Sequence, residues 1–465
     1  MRGRLFRLNR GLLWFLLLPL LSVVGPIPAL AQVPSTQFLV ISDFHFDPYD
    51  SLTREQFAVL AEAPIDAWPK LLEAQPAPAY GRDAPYSLVR GALVSARERL
   101  QDPAFILFPG DFFAHGWQTK YDRLAAKSRT EDPEAYRVFS TRTMQFLARL
   151  IHEAFPKTAF LPVLGNDDSF CGDYMIGPQS PFLKMCSEVW EPLLRFPEGS
   201  AERALFKQSC ARGGYYTARL PHLPKHRLIA LNTVFFSMLY NNACGSPNDT
   251  PALDEFNWLE QTLDAAKEAG ESVWLLMHIP PGIDSYSTNR NKGAPVSFWR
   301  DDLLARFLSL LDRHRATVQI AIAGHTHMDD FRVARVGGEA RLLTKIVPAV
   351  SPIFGNNPGY QIFDCDRDGS VLDYTTHYLS LSDSIGGRIP PWQPEYEFRR
   401  TYDLPNLSAG SIADLSKRLS VEGPARTAYV RNYTVGANPP AIPPSLLNCS
   451  ILNVTPEEFT RCGTR

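Results

Sequence analysis

Short apolar runs alternate with longer amphipathic stretches along most of this chain. The runs are rich in β-branched and aromatic side chains, which is typical of buried strands. They predict strands over residues 37–41, 104–108, 158–163, 227–231, 273–277 and 318–323. Helical periodicity in the stretches between them predicts helices over residues 85–100, 135–154, 254–268 and 301–314. This order predicts an α/β fold in which helices lie outside a mixed sheet.

The pattern changes after residue 325, where strands follow one another without helices between them. Strands are predicted over residues 330–336, 341–347, 361–364 and 371–377, and they should close the sheet as antiparallel neighbours. From about residue 390 we expect no further strands. Helices predicted over residues 394–402 and 411–419 lead into a proline-rich tail. We therefore predict a main domain over residues 32–388 and a helical C-terminal extension over residues 389–465.

The N-terminus has the pattern of an export signal. Four arginines lie among the first ten residues, residues 11–24 are apolar, and Ala29-Leu30-Ala31 is a small-x-small cleavage site. We predict a signal peptide over residues 1–31, cleaved after Ala31, and a secreted or periplasmic protein. No later segment has 18 consecutive apolar residues, so we expect no stable membrane span.

The amino-acid composition and net charge argue against one class of binding partner, the nucleic-acid polymers. The 465 residues include 47 Lys and Arg against 49 Asp and Glu, which gives a net charge of −2. A protein that binds nucleic-acid polymers without sequence preference needs a basic surface, so such a partner is not expected. Hydrophobic residues make up 45% of the chain, which is enough for a sizeable core. We expect a monomer that acts on a small molecule.

Seven cysteines in an exported chain predict disulfides, because the oxidising compartments preserve them. Four of them lie in one irregular stretch and should form two disulfides in one of three pairings: Cys171, Cys186, Cys210 and Cys244. We expect Cys449 and Cys462 to close a loop in the tail. Cys365, in a predicted strand, is then the odd thiol.

Side chains that bind metals stand where five of the predicted strands end. In α/β sheets, ligands bind beyond the carboxyl ends of the strands, where several loops converge. The candidate metal ligands are Asp43, His45, Asp111, Asn166, His278, His325 and His327. A single such pair would be weak evidence, but five segments with the same placement predict a metal centre.

Two cations explain this set better than one. Seven ligands are too many for one tetrahedral site, but they suit two sites that share a carboxylate, for which Asp111 is the best candidate. Four imidazoles together with oxygen ligands favour Zn, Fe, Mn or Ni over Mg or Ca. The set contains no cysteine, which disfavours a structural zinc site. Two such cations form a clamp for displacement at phosphorus.

The motifs resemble the metallophosphoesterase (calcineurin-like) superfamily, and within it the acid sphingomyelinase-like phosphodiesterases. The strings that carry this resemblance are GDFFAH at 110–115, HIPPG at 278–282, GHTHMDDF at 324–331 and NPGY at 357–360. The resemblance implies two mixed sheets packed as a sandwich and flanked by helices. It also implies that attack of a metal-bridging hydroxide cleaves a phosphodiester or pyrophosphate bond.

The resemblance further assigns the ligands to two metals, which are typically zinc in this family, with Fe or Mn as alternatives. One metal takes Asp43, His45, Asp111 and His327, and the other takes Asp111, Asn166, His278 and His325. Asn166 is also expected to hold a phosphate oxygen. Tyr360 is expected to form a wall of the substrate pocket, although a packing role is nearly as well supported.

One position departs from the superfamily pattern. Asp167 follows Asn166 where the pattern has a histidine that donates a proton to the leaving group. Because the matching histidine of sphingomyelinase-like enzymes lies by the leaving group, we assign His115 as the general acid. Two alternatives remain: Asp167 donates the proton at acidic pH, or the leaving group needs none.

These inferences predict an exported binuclear-metal phosphodiesterase that acts on a nucleotide-like substrate or a phospholipid headgroup. Only 11 residues separate the cleavage site from Asp43, which leaves no room for the lipid-presenting domain of acid sphingomyelinase and favours nucleotide-like substrates. A phosphomonoesterase or polyphosphate hydrolase is the alternative on the same site. The third hypothesis is an exported binding protein that has lost catalytic activity.

Overall fold

The computed structural model describes residue 3 and residues 35–384 and 390–463. The signal peptide predicted over residues 1–31, apart from residue 3, lies outside the described residues, and so does the predicted domain boundary between residues 388 and 389. The described residues from Ser35 onward form one compact unit.

Two sheets of six strands each form the centre of the described part of the chain. The strands are β1 (Thr36–Val40), β2 (Phe105–Phe108), β3 (Ala159–Pro162), β4 (Tyr216–Arg219), β5 (His226–Ala230), β6 (Ser272–Leu276), β7 (Val318–Ala323), β8 (Asp330–Val336), β9 (Glu339–Ile346), β10 (Gly359–Cys365), β11 (Val371–Tyr378) and β12 (Gln393–Glu397). The first sheet has the order β12-β11-β10-β1-β2-β3 and the second β4-β5-β6-β7-β9-β8.

Both sheets are mixed, as predicted. Strands β1, β2 and β3 run parallel in the first sheet, while β10, β11 and β12 add antiparallel neighbours. In the second sheet β5, β6, β7 and β9 run parallel, and β4 and β8 pair antiparallel with their neighbours. Parallel strands that neighbour each other present their carboxyl ends at one edge, which is where the predicted ligands lie.

Helices pack against both sheets. The described helices are α1 (Arg54–Glu62), α2 (Trp68–Leu72), α3 (Tyr86–Arg99), α4 (Trp117–Leu124), α5 (Pro133–Ala154), α6 (Pro181–Trp190), α7 (Ala201–Gly213), α8 (Pro251–Glu268), α9 (Ser285–Arg290), α10 (Asp301–Arg313), α11 (Phe398–Tyr402), α12 (Ala409–Leu419), α13 (Pro424–Tyr433), α14 (Pro444–Leu452) and α15 (Pro456–Gly463). Helix α3 packs on β10 and α8 on β6. In the described residues, no helix combines the length and the apolar character needed to cross a membrane.

An aromatic layer joins the two sheets face to face. The ring of Phe38 on β1 stacks on Phe105 of β2 at 4.8 Å and on Phe363 of β10 at 5.0 Å. It also contacts Trp274 of β6, in the second sheet, at 5.3 Å between ring centroids. Strand β2 is buried along its whole length. A strand that is covered on both faces needs apolar side chains at every position, which explains its continuous apolar sequence.

The C-terminal part, by which we mean the described residues 390–463, differs from the prediction at its start. Residues 394–402 were expected to be one helix, but β12 forms first and pairs antiparallel with β11, and only Phe398–Tyr402 is helical. The prediction was wrong because β12 lies at the edge of its sheet, where Pro394 is tolerated without an amide proton. Helices α12 and α14 then pack on β9 and β8 of the second sheet.

The cysteines follow the prediction in part. Disulfides join Cys171 to Cys244 and Cys449 to Cys462. The second disulfide predicted in the irregular stretch is not formed. Cys186 and Cys210 are buried free thiols on α6 and α7, two helices that pack together, and Cys365 is the free thiol that was expected.

His377 on β11 is a buried histidine that packs on an aromatic ring. Its side chain is 8% exposed, and its ring stacks on that of Tyr360 at 5.2 Å. Burial disfavours the imidazolium, and the positive charge of Arg99 adds to this effect, so the pKa of His377 falls to about 4. The unfolded chain, with a pKa near 6.5, therefore binds this proton first as the pH falls.

We expect His377→Gln to lose less stability in acid than the wild-type protein does. The stabilising contribution of neutral His377 is complete above pH 6.5 and is lost as the pH falls towards 4. At pH 4 the loss in the wild type is about 3 kcal/mol relative to the variant. Urea unfolding of both proteins from pH 7.5 to pH 4 measures it, with the exposed His222→Gln as control. A difference in unfolding free energy that stays constant over this range contradicts the prediction.

Candidate metal centre

The seven predicted ligands lie together where the two sheets meet. The first sheet supplies the residues after β1, β2 and β3, and the second supplies those after β6 and β7. All are buried except His325, which is partly exposed: Asp43, His45, Asp111, Asn166, His278, His325 and His327. The structure thus brings the whole predicted set to one place.

Most of these residues, which lie in the loops that follow the strands, have a left-handed backbone conformation. Five of the seven have positive φ angles, namely Asp43 (50°), His45 (40°), Asp111 (59°), His325 (74°) and His327 (64°). Residues other than glycine adopt this conformation at a cost of about 1 kcal/mol or more each. Such strain is typical of functional sites, where surrounding contacts hold the backbone in place.

Glycines next to the ligands allow the loops to approach each other closely. A Cβ atom on Gly165 would overlap the carboxylate of Asp111, and one on Gly324 would overlap the carboxylate of Asp43. The glycines of the Gly-Asn and Gly-His motifs are therefore required by the packing of the neighbouring ligand.

A first group of ligands surrounds the Nε2 atom of His327. This atom lies 3.0 Å from Nε2 of His45 and 3.6 Å from Oδ1 of Asp43. Oδ1 of Asp43 also accepts a hydrogen bond from the backbone N–H of His325 at 3.0 Å. Two imidazole nitrogens and a carboxylate thus converge within a buried space.

A second group surrounds the amide oxygen of Asn166. This Oδ1 atom lies 3.0 Å from Nε2 of His278 and 2.9 Å from Nδ1 of His325, and these two nitrogens are 3.2 Å apart. The amide nitrogen of Asn166 donates to Asp173 at 2.9 Å, which turns the amide oxygen towards the histidines.

Asp111 lies between the two groups. Its Oδ2 atom is 3.2 Å from Nε2 of His45 in the first group and 3.0 Å from Nε2 of His278 in the second. Its other oxygen accepts a hydrogen bond from the backbone N–H of Asp167 at 3.0 Å. Asp111 is therefore placed to be shared by two cations.

Backbone carbonyls orient two of the histidines. Nδ1 of His45 donates to the carbonyl of Phe113 at 3.0 Å, and Nδ1 of His278 donates to that of Pro109 at 2.7 Å. In both, Nε2 is left to face the cluster, as in metal-binding histidines. His327 differs, because no described residue offers its Nδ1 a hydrogen-bond partner.

The electrostatics of the cluster are those of a cation site. Burial opposes the charged form of His45, but the carboxylate of Asp111 raises the pKa of His45 to about 10, and similarly that of His278 to about 9. Burial and the charge of His278 lower the pKa of His325 to about 3. The carboxylates thus favour positive charge within the cluster, and carboxylate and imidazole donors packed this closely fit two divalent cations by their donor chemistry. One set of atoms, from Asp43, Asp111 and His278, lies within 4.8 Å.

His115 stands beside the first group and is held by Asp83. Nδ1 of His115 lies 2.8 Å from Oδ1 of Asp83, whose other oxygen accepts from the His115 backbone N–H at 3.1 Å and from Lys120 at 2.7 Å. Burial opposes ionisation of Asp83, but the hydrogen bond from His115 and nearby positive charges lower its pKa. The His115 ring stacks on that of His45 at 3.9 Å and is 30% exposed.

Asp167 is also at the cluster and is buried. Its Oδ2 atom lies 3.8 Å from Nε2 of His115 and 3.9 Å from Nδ1 of His45. Burial and the neighbouring carboxylate of Asp111 raise the pKa of Asp167 well above its usual value. Asp167 and His115 therefore lie side by side, so that either residue is placed to donate a proton to the leaving group.

Tyr360 is not brought to the cluster. Its ring is buried between His377 and Trp392, and its hydroxyl lies 2.8 Å from that of Ser95 on α3. It therefore packs α3 against β10. The contacts of the described structure give no support to a role in the substrate pocket.

Other aromatic side chains border the open side of the cluster. Phe354 is 55% exposed, and its ring lies edge-on at 4.6 Å from His327 and 5.5 Å from His115. The hydroxyl of Tyr174 lies 3.4 Å from Nε2 of His325. Neither residue was predicted from the sequence, because no spacing or composition around them indicates this placement.

Asp168 fixes the backbone around the shared carboxylate. It is fully buried and accepts hydrogen bonds from the backbone N–H groups of Asp111 (3.0 Å), Phe112 (2.8 Å), Phe113 (3.2 Å) and Gly165 (2.9 Å). One carboxylate thereby joins the loops after β2 and β3. This role of Asp168 was not predicted from the sequence, although the two acidic residues after Asn166 are a signal for it.

Comparisons with known proteins cover nearly the whole described chain. Residues 36–329 match the calcineurin-like phosphoesterase family, and residues 341–462 match the acid sphingomyelin phosphodiesterase C-terminal region. Human (Homo sapiens) acid sphingomyelinase-like phosphodiesterase 3b is 27% identical, over 93% of this chain and 91% of that protein. Cyclic GMP-AMP phosphodiesterase SMPDL3A from Bos taurus is 26% identical, over 95% and 92%. A dimetal phosphatase structure from Danio rerio aligns with a TM-score of 0.42, at 12% identity, over 74% and 95%.

Proposed function

The chain belongs to the calcineurin-like phosphoesterase family, and on this basis we propose that it is an exported, binuclear-metal phosphodiesterase of the acid sphingomyelinase-like type. The observation that carries the proposal is the position of Asp111, whose Oδ2 lies 3.2 Å from His45 and 3.0 Å from His278. A carboxylate between two groups of nitrogen and oxygen donors is what two adjacent cations require.

Two cations would be held by the predicted ligand sets. One set is Asp43, His45, Asp111 and His327, and the other is Asp111, Asn166, His278 and His325. The histidine-rich composition favours zinc, with iron or manganese as alternatives. When bound, the two cations supply Lewis acidity and lower the pKa of water.

The chain's own residues orient the reacting groups and move a proton. The carbonyls of Phe113 and Pro109 fix the ring orientations of His45 and His278. Asp83 holds Nδ1 of His115, which leaves Nε2 of His115 to carry a proton towards the departing oxygen. We assign the general acid to His115, with Asp167 beside it as the alternative donor.

The substrate we propose is a small phosphodiester or pyrophosphate, either nucleotide-like or a phospholipid headgroup. Similar proteins are named for both kinds of chemistry, cyclic GMP-AMP phosphodiesterase and acid sphingomyelinase-like phosphodiesterase. With a net charge of −2, the chain has no excess of positive charge to attract a phosphate, so capture at the metal centre is the simplest account.

We also propose that the chain is exported and that residues 389–465 are an extension of a catalytic domain over residues 32–388. The disulfides Cys171–Cys244 and Cys449–Cys462 support export, because such bonds persist in oxidising compartments. The packing of α12 and α14 on the second sheet supports an extension that docks on the catalytic domain.

Turnover of bis(4-nitrophenyl) phosphate and of 4-nitrophenyl phosphate tests the proposed activity. We expect kcat/KM to be at least about tenfold higher for the diester, a difference of about 1.4 kcal/mol in transition-state binding. A chelator should abolish turnover, and Zn²⁺ or Mn²⁺ should restore it. A preference for the monoester would indicate a phosphomonoesterase instead. Absence of metal-dependent turnover on either ester would indicate a binding protein that has lost catalysis.

A further inference from the structure

Two adjacent buried carboxylates, Asp329 and Asp330, follow the turn that carries His325 and His327. We call residues 324–327 the ligand turn, and Asp329 with Asp330 the carboxylate pair. Both carboxylates are buried, and neither contacts a ligand histidine in the described structure. Their partners instead come from β-strands and from the C-terminal part of the chain.

Asp329 is surrounded by hydrogen-bond donors. Its Oδ1 accepts from Lys345 at 2.6 Å. Its Oδ2 accepts from Gln361 at 2.7 Å, from Tyr396 at 2.8 Å and from Thr376 at 3.0 Å. Lys345 and Thr376 belong to different sheets, and Tyr396 belongs to β12, where the C-terminal part begins. Asp329 therefore joins both sheets to the C-terminal part.

Asp330 has a cation and a tyrosine as partners. Its Oδ2 accepts from Arg332 at 2.5 Å, and its Oδ1 accepts from the hydroxyl of Tyr429 on α13 at 2.6 Å. The backbone N–H of Asp329 donates to the carbonyl of Tyr433, also on α13, at 3.0 Å. The carboxylate pair is thus bound by the C-terminal part at three points.

The ligand turn needs such support. His325 and His327 both have left-handed backbones, which neighbouring contacts must maintain. The start of the turn is held by Asp43, which accepts from the His325 N–H. No described residue bonds Nδ1 of His327, so the position of this imidazole depends on the backbone that carries it. That backbone continues through the single residue Met328 into the carboxylate pair.

The charges of the pair are balanced without the tyrosines. Lys345 compensates Asp329, and Arg332 compensates Asp330. Loss of either tyrosine hydroxyl therefore leaves both ion pairs in place and removes a directional bond to the carboxylate pair. For Tyr396 it also removes the contact with the Tyr374 hydroxyl at 2.7 Å. The hydroxyls of Tyr396 and Tyr429 help to orient the carboxylates, together with Gln361 and Thr376 at Asp329. Lys345 and Arg332 make the burial of these charges tolerable.

We propose that Tyr396 and Tyr429 are positioning residues for the metal ligands His325 and His327. By holding the carboxylate pair, they keep the ligand turn in the geometry that the cations need. This inference rests on the proposed function, because it requires metal to bind at those histidines. The C-terminal part then contributes to metal affinity without contributing a ligand.

Metal affinity separates this role from a merely structural one. The variants are Tyr396→Phe, Tyr429→Phe and the double variant, and the control is Tyr402→Phe. Tyr402 is similarly buried in the same part of the chain, but its hydroxyl accepts from Asn432 at 3.2 Å and makes no hydrogen bond to the carboxylate pair in the described structure. Each protein is stripped with a chelator and titrated with Zn²⁺ in a calorimeter, well below its unfolding temperature.

We expect each single tyrosine variant to raise the dissociation constant for Zn²⁺ about tenfold relative to wild type. The double variant should raise it about a hundredfold relative to wild type. The control should stay within about twofold of wild type, whatever its thermal stability. If one variant fails to fold, the other provides the same test.

Two results would overturn the inference, and they differ in what else they refute. Wild-type protein that binds Zn²⁺ while the tyrosine variants bind it equally well refutes the positioning role alone. Wild-type protein that binds neither Zn²⁺ nor Mn²⁺ refutes the proposed binuclear centre and the positioning role with it.

Discussion

Asp111→Asn is expected to lower kcat/KM by about a thousandfold or more and to remove both cations from the purified protein. The change keeps the size of the side chain and the oxygen that accepts from the Asp167 N–H at 3.0 Å. It removes the negative charge that lies 3.2 Å from His45 and 3.0 Å from His278. Because one carboxylate serves both groups of ligands, its loss should disable both sites together. Turnover and elemental analysis of the same preparation measure the two effects.

Asp312→Asn is the matched control, because Asp312 is an exposed acid on α10. It should retain the activity and the metal content of the wild-type protein. An Asp111→Asn protein that is folded, holds two metal ions per chain and remains active would show that the two groups of ligands do not share this carboxylate. Loss of one ion with the other retained would assign Asp111 to a single site.

His115→Ala should separate substrates by their leaving groups. For a phosphodiester with an alkyl or nucleoside leaving group, we expect kcat to fall about a hundredfold to ten-thousandfold. For bis(4-nitrophenyl) phosphate, whose leaving group needs no proton, we expect little change. The physical reason is the pairing of His115 with Asp83 at 2.8 Å, which leaves its Nε2 free to protonate the departing oxygen. Steady-state kinetics on the two substrates give the comparison.

Equal losses on both substrates would show that His115 binds the phosphate rather than protonating the leaving group. A full rate on the poor leaving group, combined with a loss in Asp167→Asn, would assign the proton to Asp167, whose carboxylate lies 3.8 Å from His115. His152→Ala, in an exposed part of α5, is the control and should leave both rates unchanged.

The convergence of the seven candidate ligands could be predicted because each follows a strand closely in the sequence. A strand such as β2 is recognisable from its apolar run, and the residue that follows it must lie at the sheet edge. The convergence of these edges then required only that the strands be parallel, which the alternation with helices indicated. The confirmed elements, including α3, α5, α8 and α10, follow from the same local periodicity.

Residues that act through contacts from distant loops could not be predicted in this way. Asp83 lies 32 residues before His115, in a loop with no motif, and only the folded chain brings them together. Tyr360 shows another limit, which is the alternation of side chains along β10. Gln361 bonds Asp329, whereas Tyr360 points to the other face, towards α3. The motif located this segment, but it did not indicate which face each side chain takes.

The division of the ligands between two sheets has a consequence for how the protein matures. His45 and His327 are 282 residues apart in sequence, yet their Nε2 atoms are 3.0 Å apart in the fold. Neither of the two proposed cations could be fully coordinated until nearly the whole proposed catalytic region has been synthesised and both sheets have joined. A chain that is exported before it folds would therefore take up its cations on the far side of the membrane. The metal supply of that compartment, rather than that of the cytoplasm, would decide which cations the enzyme carries.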